Sequence, residues 1–169
     1  MRSAALCRWG LAGLLGLGLS QSRATSVTPL TLTEQAKRAA IIVRAKVGTA
    51  TTAKEGDVTY TVYPLTILES IAGDPKALPQ AGDQPALYFL QGAQDLPKVS
   101  AGQEAFLLLY TGKLDSPVVG FNQGFYPVVS GSVAVGDPTA PALTGPITDP
   151  AITDPAKLRD ALRAAKEGK

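Results

Sequence analysis

The chain predicts a mainly β fold: a small antiparallel barrel, closed or partly open, of about five to six strands, with a short N-terminal helix and a C-terminal helix. Three observations carry that expectation. Apolar runs of strand length alternate with segments rich in Gly and Pro. The run at 58–71 is long and its apolar residues change parity midway, as in a strand bent to turn a barrel corner. The stretch from Leu90 to Gln103 is too short for a crossover helix, which argues against parallel βαβ units.

The elements follow in order. Residues 1–24 read as a signal peptide: Arg2 and Arg8 precede the apolar stretch at 11–19, and Ser22 and Ala24 fit a small-residue cleavage site. A nine-residue apolar stretch falls short of the roughly 20 residues a membrane-spanning helix needs, so no stable anchor is expected after cleavage. The mature domain is placed at 25–136. Thr33 is expected to cap a short helix from Glu34 to about Ala40, with Glu34 near its positive end. Ile41, Val43, Ala45 and Val47 then share one face of a strand. Residues 49–57 are polar and end in a Glu55-Gly56-Asp57 turn.

In the long strand Val58, Tyr60 and Val62 hold one parity, and Tyr63, Leu65 and Ile67 the other. A bulge near Val62-Tyr63, beside Pro64, would absorb the slip. Residues 72–84 are expected as a loop, 86–90 as a short buried strand and 91–103 as a second loop. The segment 105–110 is apolar throughout and therefore central. After a turn at 111–117, strands are expected at 118–121, 125–130 and 132–135, with Asn122-Gln123-Gly124 as a hairpin loop in which Gly supplies positive φ. A Pro/Thr-rich linker follows at 137–153, then a helix at 154–167 with Asp154 as N-cap and Pro155 at its first position. Its apolar stripe, Leu158, Ala161, Leu162 and Ala165, is thin, so weak docking is expected.

Composition excludes much chemistry. The chain has 169 residues, no His and one Cys, so it has no Ser-His-Asp triad, no Cys-His pair and no His-ligated zinc. Cleavage removes Cys7 with the leader, leaving no disulfide and no thiolate nucleophile. Loss of Arg2, Arg8 and Arg23 takes the 16 basic residues to 13 against 14 acids, a net charge of −1. A near-neutral chain has no electrostatic reason to seek nucleic acid.

Several segments together resemble a group of exported bacterial domains of uncharacterised function. They are Ala39 to Val47 (AAIIVRAKV), Tyr60 to Tyr63 running on through Ile67-Leu68-Glu69-Ser70-Ile71-Ala72-Gly73, Gly102 to Leu109, and Val119 to Phe125. The resemblance covers roughly residues 30–130. It implies an OB-like fold related in shape to tissue inhibitors of metalloproteinases. Those inhibitors chelate zinc through an N-terminal Cys positioned by disulfides. The cleaved chain has no Cys, so inhibition by chelation does not carry across.

Remaining candidates are few. The acids are scattered, mostly beside Gly or Pro in turns where Asp bonds its own backbone. No Ser-x-x-Lys spacing or Gly-x-Ser-x-Gly elbow occurs. No catalytic, cofactor-binding or metal-ligating residue is assigned, and no cofactor is expected. The most suggestive segment is an amide-rich turn flanked by aromatics: Phe121, Asn122, Gln123, Phe125 and Tyr126 are the candidate binding surface. Its competing reading puts Phe121 and Phe125 in the core and leaves residues 122–124 as a plain turn. The expected function is that of an exported, periplasmic or extracellular, non-enzymatic domain binding another exported protein or an envelope component. Two alternatives stand beside it. One is a protease inhibitor or accessory acting by steric occlusion through a loop at 73–84 or 91–103. The other is a carboxylate-only enzyme with two acids sharing a cleft.

Overall fold

The computed structural model describes residues 29–134 and 150–168; the leader at 1–24 and most of the linker, 137–149, lie outside them. The first element is helix α1, Leu32–Arg38. Its N-cap is Thr31 rather than Thr33: the Glu34 backbone N–H donates to the Thr31 hydroxyl, and Glu34 accepts from the Thr31 N–H. That reciprocal pair needs a carboxylate three residues after the cap, and from Thr33 the third residue is Ala36.

Strand β1, Ile41–Val47, follows directly. Ile41, Val43, Ala45 and Val47 enter one core, as alternation predicts, while Ile42 enters a second core on the opposite face. Residues expected only as a polar turn form β2, Thr51–Glu55, paired with the start of β3, Val58–Ala72. With four of its five residues exposed, β2 carries no apolar alternation to announce it, although its threonines suit a pleated surface.

The parity change in β3 does not come from a bulge near Val62-Tyr63, where pairing is regular. Register shifts against β1 fall instead where Leu68 and Ile71 are skipped. Parity changes because both faces bury apolar groups. Val62 packs with Ala86 and Tyr88 on one face, while Leu65 joins the main core on the other, with Tyr63 and Ile67 packed against it.

The expected loop at 72–84 contains a 3-10 turn, Pro75–Ala77, and a two-residue strand β4, Gln80–Ala81, paired with β5, Gln84–Leu90. The expected central strand is β6, Glu104–Leu109. Ala105, Leu107 and Leu109 face one core and Phe106 and Leu108 the other, which is why it is apolar at every position. The expected strand at 118–121 reduces to a single bridge between Leu109 and Val118. Strands β7, Phe125–Val129, and β8, Ser132–Val133, complete the sheet.

All ladders are antiparallel, in the order β4-β5-β3-β1-β6-β7-β8, with β2 alongside β3. The mainly β, helix-flanked expectation holds, with eight strands and an open sheet rather than a closed barrel. The sheet still curls, because Leu87 and Phe89 of β5 share a core with Val118 and with Phe125 of β7. In place of a closing strand pair, the Leu90 N–H donates to the Asp115 carbonyl at 3.1 Å.

Residues 150–153 form a 3-10 turn leading into helix α2, Pro155–Glu167, capped by Asp154. Weak docking is not what the structure shows. Leu158 and Leu162 are fully buried in the core that also holds Ala36 and Ala39. The stripe is thin but lands on a matching stripe of small residues on and just after α1. Lys166 Nζ also donates to the carbonyls of Ala39, at 2.5 Å, and Lys37, at 3.4 Å, covering carbonyls that a helix end leaves unpartnered.

Candidate functional site

The segment from Tyr110 to Gly124 leaves β6 and returns to it. The Val119 N–H donates to the Leu108 carbonyl, the Leu108 N–H donates to that of Gly124, and the Gly124 N–H donates to that of Val119, each at 2.9 Å. A Cβ on Gly124 would stand 2.9 Å from Leu108 Cβ, so this staple requires glycine. Positive φ, expected at Gly124, falls instead at Gly120 (62°) and Phe121 (66°). The Asn122 N–H donates to the Gly120 carbonyl at 2.8 Å, making Phe121 the centre of a γ-turn of the rare, strained kind. The Ser116 hydroxyl donates to the Phe121 carbonyl and accepts from the Val118 N–H, which holds the turn in place.

Of the five residues singled out by sequence, this geometry divides two from three. Phe121 is 39% exposed and Asn122 is half-buried. Gln123, Phe125 and Tyr126 are buried, so their side chains support the loop rather than present it. Gln123 is 1% exposed and its Oε1 accepts from the Leu30 N–H at 2.7 Å. The Leu30 carbonyl accepts from Gln35 Nε2 at 2.9 Å, and Gln35 Oε1 accepts from the Tyr126 hydroxyl. Burial pushes the Tyr126 phenol well above its ordinary range, and the bond to Gln35 only partly opposes this. The chain locks α1 and the segment entering it against the loop.

Between α1 and this loop lies an open cleft of about 790 Å³. One wall is Pro29, Leu30, Glu34 and Arg38; the other includes Tyr110, Lys113, Leu114, Asp115 and Phe121. Leu114 is 49% exposed, so two of the five exposed large apolar residues among those described sit on one cleft. Lys113 is bonded to Glu55 on β2 and lies 4.5 Å from the centre of the Tyr88 ring. The Glu55 hydrogen bond raises the lysine's pKa most. Sequence reading missed Arg38, Lys113 and Leu114. The one local signal was Leu114, a lone large apolar residue inside an otherwise polar turn.

Glu34 and Asp115 both line the cleft. Hydrogen bonds from the Thr31 backbone and hydroxyl hold the Glu34 carboxyl below its ordinary value, the reverse of what a general acid at neutral pH needs. A depressed folded-state pKa adds stability above the ordinary carboxylate range, which is lost as pH falls through the folded value. Denaturant unfolding of Glu34→Gln should therefore show a flatter stability curve than the parent between about pH 5 and pH 2. Parallel curves would mean the carboxylate is not engaged at the cap.

Both loops considered for occlusion are pinned: Leu78 is buried in the main core, and Leu96 and Val99 pack against it. A shallower hollow of about 370 Å³ lies beside Tyr63, Phe89, Leu96 and Pro97. Among the described residues, no group of three or more His, Cys, Asp or Glu side chains could hold a metal ion, and no helix is long and apolar enough to cross a membrane. Compared with known protein families, curated proteins and solved structures, the chain matches none, so its cleft has to be read from its own residues.

Proposed function

We propose that this is an exported, non-enzymatic β domain that binds another exported protein or an envelope component through the cleft between α1 and the 110–121 loop. The observation that carries this reading is Phe121. A bulky aromatic held at φ 66° and left 39% exposed costs the fold about 1–2 kcal/mol, and such strain persists where the surrounding structure enforces it. Here Ser116 and the γ-turn enforce it, and the ring stands beside exposed Leu114. The signal-peptide pattern and the resemblance to exported domains support export.

Phe121→Gly separates stability from binding. Glycine relieves the positive φ and forfeits about 0.5–1 kcal/mol in backbone entropy, so the variant should be as stable as the parent, or about 1 kcal/mol more so, in urea unfolding. In parallel pull-downs from the host's envelope and culture fluid, a partner held stoichiometrically by the parent should be lost with Phe121→Gly. A partner retained equally by both forms would move binding away from this cleft. A protease as partner would turn the reading to steric occlusion.

A further inference from the structure

Taking the cleft as a protein-binding site, we propose that its occupant is an extended segment of the partner that sets an apolar side chain against Leu114 and Phe121 and a neighbouring Asp or Glu carboxylate against Arg38. Four charged residues line the cleft, and two are already committed. Glu34 serves the Thr31 cap, accepting from its backbone N–H and hydroxyl at 2.8 Å and 2.9 Å. Lys113 serves Glu55 and the Tyr88 ring. Arg38 is exposed and, among the described residues, its guanidinium makes no hydrogen bond or ion pair. One helical turn before it, Glu34 offers only distant charge.

A guanidinium presents a planar fork of donors that matches a carboxylate in two parallel bonds. Leu30, Leu114 and Phe121 supply apolar surface around it, and exclusion of water by an occupant would strengthen the pair. The wall is stiff as well. Gln35, Ala36 and Ala39 are buried, and Lys166 fastens the carbonyls of Lys37 and Ala39 on either side of Arg38. Glu34 and Asp115 flank the site with negative charge, so a single acid beside an apolar residue fits, and an acidic run does not.

The test is an NMR titration of nitrogen-15-labelled protein with the tetrapeptide Ac-Gly-Leu-Asp-Gly-NH₂ and its Asn and Lys analogues. The Asp peptide should move the amide signals of Arg38, Leu114 and Phe121 and bind about two- to fivefold tighter than the Asn peptide, the range of a solvent-accessible ion pair. Arg38→Gln should abolish that preference and leave the apolar contribution, and Arg38→Lys should restore part of it. Equal binding of the Asp and Asn peptides, or preference for the Lys peptide, would overturn the carboxylate assignment. If those peptides still moved Leu114 and Phe121, the cleft would stand as a binding site. If no peptide perturbed the cleft, both readings would fall.

Discussion

Leu158→Ala is expected to lower the unfolding free energy by about 2–5 kcal/mol, the usual cost of truncating a fully buried leucine. Its side chain has no exposed surface and packs in the core that holds Ala36, Ala39, Ile71 and Leu162. The other contacts of α2 contribute far less. Arg159 and Arg163 approach Glu69 only to 3.9 Å and 3.8 Å and are a third or more exposed, the kind of surface pair worth little. Urea unfolding followed by circular dichroism measures the loss. Leu158→Met, which keeps volume, should cost less than about 1.5 kcal/mol. A loss under about 0.5 kcal/mol for Leu158→Ala, the range of an ordinary surface change, would mean that the helix frays rather than docks.

Gly73→Ala is expected to cost at least about 3 kcal/mol, combining left-handed strain with overpacking. Gly73 ends β3 at φ 75°, and a Cβ there would lie 2.4 Å from the Ala40 carbonyl oxygen and 3.2 Å from Ile41 Cα. That backbone has nowhere to retreat, since the Ala40 N–H is bonded to the Leu109 carbonyl at 2.9 Å. Gly82→Ala is the control. Gly82 has φ 60°, and a methyl group there would meet nothing within 4 Å, so it carries only the strain, about 1 kcal/mol. Equal losses for the two variants would show that the chain does not pack tightly at the end of β3.

The candidate site was only partly legible in the sequence. The segment at 121–126 stood out by composition, yet which aromatic faces outward depends on Leu108 accepting and donating across to Val119 and Gly124. That staple leaves no strand period at 118–121, turns Phe121 out and Phe125 in, and buries Gln123 under Leu30. Arg38 and Leu114 are 76 positions apart in the chain. No local pattern could place them on one cleft.

What the sequence by itself determined is whatever rests on short-range periodicity and residue type. The alternation at 41–47 set the inward face of β1, the unbroken apolar run at 105–109 marked a strand buried on both faces, and Asp154-Pro155 marked the start of α2. Absence of His likewise removed whole mechanisms without any structure. Only the tertiary structure decided that the sheet stays open, that β2 exists, that the register shifts of β3 fall at Leu68 and Ile71, and that α2 docks. The physical reason is the same in each case: these features depend on contacts between distant segments, whose free energy outweighs the weak local preference of the residues involved.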